Sequence, residues 1–267
     1  MNYGISILFR AIPLAMALFC FGYGAFIYGY GDAGNRVVAG PIVFSLGMIC
    51  IALFCTAATI IRQIIHTYNE TTKYILPIVG YLAALITVIS GICIFSNATS
   101  PSAFVAGHVM VGLACICTSL IALVATIARQ VRNDYSEKER NKWPKLVLLM
   151  GSISFVWGLF VILADSGSAN GTTGYIMLGL GLVCYSISSK VILLAKIWRR
   201  EFKLANRIPM IPVLTALTCL FLAAFVFELA TVHADYFIPA RVLVGLGAIC
   251  FTLFSIVSIL ESGTSSK

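Results

Sequence analysis

Four equivalent positions carry most of what this chain could use for proton or charge chemistry. Pro41, His108, Tyr175 and Arg241 each follow the small residue that opens a recurring motif: Gly40, Gly107, Gly174 and Ala240. Three of the four are polar, and each falls about one helical turn inside one end of a long apolar segment. Glu228 lies at similar depth and flanks the same turn as Arg241, so the two could pair. Histidine ordinarily titrates near pH ~6.5, within reach of a mild acid shift. A charge at the bilayer centre costs roughly 2.5–3.5 kcal/mol, less near the edge, and such groups usually face a cavity or each other. The pattern therefore predicts a polar layer of His108, Tyr175, Arg241 and Glu228 facing the periplasm, with His108 as its titratable member. The competing expectation is structural: His108 packs, Tyr175 is interfacial, and Glu228 and Arg241 are an ordinary boundary pair.

Other reactive residues are sparse. Lys190 sits inside an apolar segment, where a long side chain more often snorkels to the interface than lines a path. All nine cysteines fall within apolar segments, as small packing residues do, and Cys115-x-Cys117 points to different helix faces rather than to one metal. His66 and His233 fall in loops. Asn69, Asn97 and Asn170 each open an Asn-x-Thr triplet, a pattern that chance supplies readily. There is no nucleotide loop, no pair of intramembrane carboxylates and no credible Ser/His/Asp set. The expectation is no catalytic, cofactor or metal site, and no enzyme.

The elements that must position these residues repeat. Cys50, Cys117, Cys184 and Cys250 are spaced by 67, 67 and 66 residues, and Gly24, Gly91 and Gly158 by 67. Leu46, Leu113, Leu180 and Leu246 keep the same register. Such a period sets the architecture. It divides a single transmembrane domain, 1–267, into units 1–70, 71–140, 141–205 and 206–267. Gly47, Ala114, Gly181 and Gly247 lie seven residues after the opening small residue and three before the cysteine. They share one helix face, and small faces let membrane helices approach closely. The expectation is that this layer packs one repeat on the next; the alternative is a glycine-lined pore.

Each unit is apolar enough to be a pair of membrane helices. Hydrophobic residues make up 60% of the chain and charged residues only 10%, against about 25% charged in soluble domains. Spans of roughly 20 apolar residues are expected near 8–30, 37–61, 74–95, 104–128, 146–164, 174–196, 208–230 and 238–260. The runs are continuous rather than alternating, which favours helices over a barrel. The first follows a single basic residue, Arg10, lacks a small-x-small cleavage site and forms half of the first repeat, so it reads as a retained helix. Each odd-numbered helix is expected to start near a proline: Pro13, Pro77, Pro144 or Pro209.

Fifteen of the 18 basic residues fall on one side of these spans; the other side has only Arg36 and Arg241. This bias places both termini in the cytoplasm. It also accounts for the net charge of +8 without nucleic acid, with anionic lipid headgroups as partners of the basic loops. The fold class expected is an all-α integral membrane protein of eight helices, arranged as four parallel hairpins.

The runs Leu204-Ala-Asn-Arg-Ile-Pro-Met-Ile-Pro-Val213 and Phe104-Val-Ala-Gly-His-Val109, with the tail from Tyr236 to Glu261, resemble the YhiM-like family of enterobacterial inner-membrane proteins. The likeness extends over the whole chain. It implies a multi-pass bacterial inner-membrane protein of a family without an established activity, loosely tied to acid stress. In that family Val-Ala-Gly-His recurs in several units and longer members carry an extra hairpin. This chain keeps the histidine only at His108 and has Pro41 in the first unit, which weighs against any role needing several histidines. Two functions are expected to compete: a transporter or channel for a small solute or ion, and a non-transporting stress protein, sensor, scaffold or partner subunit.

Overall fold

The computed structural model describes residues 3–31, 36–64, 69–131, 136–164, 167–198, 208 and 210–265. Its long elements are all helices: α1 (Tyr3–Tyr30), α2 (Ala39–Ile64), α3 (Glu70–Ser96), α4 (Pro101–Val131), α5 (Glu137–Ala164), α6 (Ser168–Trp198), α7 (Met210–Ala230) and α8 (Phe237–Ser265). A 3-10 turn, Ala234–Tyr236, joins the last two. All eight contain a stretch long and apolar enough to cross a membrane. In a bilayer, each backbone N–H and C=O must find its partner inside its own segment, so continuous apolar runs become helices.

The helices outrun the apolar segments. α3 and α5 begin with Glu70-Thr-Thr-Lys73 and Glu137-Lys-Glu-Arg-Asn-Lys142, polar residues that extend each helix beyond its apolar run. Pro13, Pro77 and Pro144 therefore lie inside α1, α3 and α5 rather than in the first turn, which corrects the expected helix starts. Pro209 lies outside the described residues. An interior proline leaves the carbonyl four residues earlier without its N–H. In α3 and α5 that carbonyl belongs to the polar leading turns, where water can supply the missing donor. The turn before α4 has its own signal: Ser100 Oγ accepts from the Ala103 N–H at 3.2 Å, and Pro101 takes the first helical position.

The chain forms two compact units, Met1–Tyr135 and Ser136–Lys267. In the first, α1 packs on α2 and α3 on α4, while α2 touches both α3 and α4. Its core gathers Ala52, Cys55 and Ala58 of α2, Leu76 and Ala84 of α3, and Cys117, Ile121 and Val124 of α4. In the second unit α5 packs on α6 and α7 on α8, while α6 touches both α7 and α8. There Tyr175 packs on a cluster of Ala223, Val226, Ala240 and Leu243. The most enclosed helices are α4 and α6, with 83% of each apolar window buried; no other helix exceeds 44%.

Candidate functional site

The residues proposed for the polar layer divide between the units: His108 in the first, Tyr175, Glu228 and Arg241 in the second. His108 is 2% exposed. Its Nδ1 lies 2.8 Å from the Phe104 carbonyl one turn back on α4. Its ring lies against two phenylalanines, with centroids 4.4 Å from Phe95 and 4.2 Å from Phe104. Ring contacts of this kind contribute about 0.5–1.5 kcal/mol beyond area burial. Sequence spacing could not show this cage, because Phe95 reaches His108 from α3 across the turn.

In the second unit, Tyr175 meets Tyr236 edge-on at 6.1 Å and Phe225 at 6.4 Å. Arg241 is exposed and its guanidinium lies 5.8 Å over the Phe237 ring, one turn back on α8. Glu228 is exposed. Among the described residues Glu228 and Arg241 form no ion pair, so the pairing their sequence positions allowed is not formed. Around a ring such as Phe237, a guanidinium gains roughly 0.5–1 kcal/mol at an exposed site.

The buried serine and threonine hydroxyls of the first unit are satisfied within their own helix, although Tyr81 Oη of α3 is buried without a hydrogen-bond partner among the described residues. Ser45, Thr59, Thr87, Ser119 and Thr126 each donate to the carbonyl four residues back, at 2.8–3.0 Å. A hydroxyl turned onto its own backbone offers little to a solute. The second unit differs. Ser154 Oγ of α5 donates to the Met177 carbonyl of α6 at 2.8 Å, and Ser152 Oγ meets Tyr185 Oη at 2.8 Å. Thr173 Oγ1 and Ser186 Oγ, both on α6, are buried without a hydrogen-bond partner among the described residues. Lys190, 9% exposed, follows Ser186 by one turn. These α6 hydroxyls were not legible as a group; their only sequence signal is the Ser186-Ile-Ser-Ser-Lys190 cluster.

The small-residue layer faces a different neighbour from the one expected. A Cβ placed on Gly47 of α2 would stand 3.2 Å from Cys20 Cβ of α1. On Gly181 of α6 it would stand 2.9 Å from the Gly151 carbonyl of α5, and on Gly247 of α8 3.2 Å from Leu220 of α7. Ala114 at the same register is buried. The three glycines thus meet the partner helix of their own hairpin, which corrects the repeat-to-repeat reading. The face that joins α2 to α4 is instead built around Ala52, Cys55 and Cys117.

A second set of glycines, nearer the hairpin turns, brings backbone to backbone. A Cβ on Gly24 would lie 3.1 Å from the Gly40 carbonyl, on Gly91 2.8 Å from the Gly107 carbonyl, and on Gly158 2.8 Å from the Gly174 carbonyl. Their common signal was a constant offset of 16 residues between the two periodic glycines. None of the nine cysteines is bridged, and six are buried. Among the described residues no group of His, Cys, Asp and Glu could hold a metal ion.

Eight apolar helices, two of them almost fully enclosed, define a multi-pass membrane protein. The chain belongs to the family described as Protein of unknown function (DUF2776), whose pattern matches residues 1–112 and 93–265. It is similar to Inner membrane protein YhiM of Escherichia coli (strain K12), 39% identical over an alignment of 350 positions, gaps included, that covers 100% of both chains. No solved structure matches it. The likeness carried by Phe104–Val109, Leu204–Val213 and the tail is therefore family membership, and the inner membrane is where such a chain resides.

Proposed function

We propose that this chain is a sealed, non-conducting component of the bacterial inner membrane, acting as a scaffold, sensor or partner subunit. The observation that carries this reading is the enclosure of His108 between Phe95 and Phe104, with Nδ1 directed at its own helix. A titratable layer lining a vestibule would need that ring in water. The helix-satisfied hydroxyls of α2, α3 and α4 support the same reading. In this proposal four hairpins repeat in parallel, both termini are cytoplasmic, and the basic loops meet anionic headgroups. The acid-stress connection implied by the resemblance would run through a partner or through His108 rather than through flux.

A second reading is a transporter or channel for a small solute or ion. It is favoured by α6, where Thr173, Ser186 and Lys190 bury polar groups that a hydrated path would satisfy. Hydroxyl-radical footprinting of the full chain in nanodiscs separates the two. The sealed reading expects Met177, Tyr185 and His108 to stay unmodified while exposed Tyr30 and Phe237 react. Modification of Met177 and Tyr185 at the rate of those exposed residues would overturn it in favour of a water-filled path.

A further inference from the structure

We propose that the first unit holds a specific site for an anionic phospholipid, with an acyl chain in a cleft beside the α1–α2 crossing and the phosphate at Arg36. The cleft has a volume of about 490 Å³, within the roughly 300–1,000 Å³ of ordinary ligand pockets. It exists because of what the sequence omits. Gly24 and Gly40 lack side chains at the crossing. Position 41 is proline, where the second hairpin has His108 filling the equivalent space between two rings. Its walls are Ala25 and Tyr28 of α1, Pro41 and Phe44 of α2, and Ser90 and Ile94 of α3, almost wholly apolar.

The occupant follows from the surroundings. The chain lies in a bilayer, so an open apolar cleft meets acyl chains rather than water. Charge then selects the lipid. The Arg36 side chain is exposed and anchored over the end of α1, its Nε donating to the Gly31 carbonyl at 2.7 Å and its Nη2 to the Gly29 carbonyl at 3.0 Å. Gly29 adjoins Tyr28 of the cleft wall, and Arg36 precedes Gly40 by four residues, just before α2 begins at Ala39. A guanidinium has five N–H donors in a rigid fork suited to phosphate, and among the described residues two of them are used, on the Gly31 and Gly29 carbonyls. Arg36 is also one of only two basic residues expected on its side of the membrane, which makes it a local site rather than part of a general basic surface.

Lipid binding by the purified full chain, measured by native mass spectrometry with phosphatidylglycerol and with phosphatidylcholine, tests this. Arg36→Gln should weaken phosphatidylglycerol binding about five- to tenfold and phosphatidylcholine, whose phosphate is offset by its own ammonium, by less, while Arg36→Lys keeps the charge without the fork and restores binding only in part. Filling the cleft with Ala25→Trp, or with Ser90→Leu if the first variant is unstable, should weaken both lipids. A photoreactive benzoylphenylalanine at Ala25, irradiated in native membranes, should give an adduct of lipid mass. Equal lipid binding by wild type and all variants would overturn the site. So would a photoadduct to a second copy, to another polypeptide or to a different segment of the same chain, since protein would then cover the cleft.

Discussion

Adding one methyl group at Gly158 should loosen the α5–α6 hairpin, while the same change at Gly22 should tighten α1. A Cβ on Gly158 would stand 2.8 Å from the Gly174 carbonyl oxygen, 2.9 Å from the Leu178 nitrogen and 3.1 Å from Met177 Cβ. Two of these three atoms are backbone, so no side chain can swing aside and the helices must separate. Overpacking of this kind typically costs about 1–3 kcal/mol. Alanine returns about 1 kcal/mol of helix propensity, leaving a net loss of about 0–2 kcal/mol. At roughly 2–4 °C per kcal/mol for a chain of this size, the Tm should fall by up to about 8 °C. Gly24→Ala is the milder case, because its nearest backbone atoms are 3.1 and 3.2 Å away, and it should fall between the extremes. Gly22 has nothing within 4 Å, so Gly22→Ala keeps only the propensity gain and should raise Tm by about 2–4 °C. The assay is thermal unfolding of the purified full chain in one detergent. A Gly158→Ala variant as stable as Gly22→Ala would refute the backbone-crossing argument.

Three further outcomes are expected. His108→Gln removes two ring contacts and should lower stability by about 1–2 kcal/mol; with His108 acting as packing, the deficit stays constant between about pH 5 and 7.5, whereas a deficit that changes through the ordinary histidine range near ~6.5 would assign it a titrating role. Lys190→Met replaces a buried ammonium with an apolar chain of similar length and, in a sealed bundle, should raise Tm or leave it unchanged; a marked loss of stability would show that the charge is structurally paired. Reporter fusions after Lys267 and within 129–145 should report cytoplasm, and fusions near Asn97 and Asp235 periplasm; a periplasmic C-terminus would sink the parallel-hairpin topology with it.

The eight helices were legible because a bilayer leaves an apolar run few alternatives, so composition alone locates the spans. Their ends were not. The polar leaders Glu70–Lys73 and Glu137–Lys142 read as loop by hydropathy yet continue their helices, the second on strong helix formers and the first across Thr71 and Thr72, and they carry Pro77 and Pro144 into helix interiors. The spacing of Gly47 from Gly40 and Cys50 puts them on one face by helix geometry alone. It could not say which neighbour that face meets, because every helix of a bundle offers more than one partner. The residue type at His108 was legible, but its environment depends on how α3 and α4 register across their turn, which brings Phe95 alongside. The cleft beside Gly24 and Gly40 was the least legible feature, since it arises from missing side chains rather than from any residue present.

The crossings explain why one position differs so freely among the hairpins. In three of them a glycine pair brings the two backbones together near the turn, and in the fourth Ala240 opens the equivalent helix. The side chain that follows the small residue differs in each, and so does what it meets. Pro41 leaves a cleft. His108 closes the corresponding space with a ring held by two others. Tyr175 ties α6 to Tyr236 and Phe225. Arg241 turns outward over Phe237. A scaffold that holds this position still while its occupant varies can acquire a lipid site in one hairpin and a packed interior in another. It need not open a hydrophilic path in either.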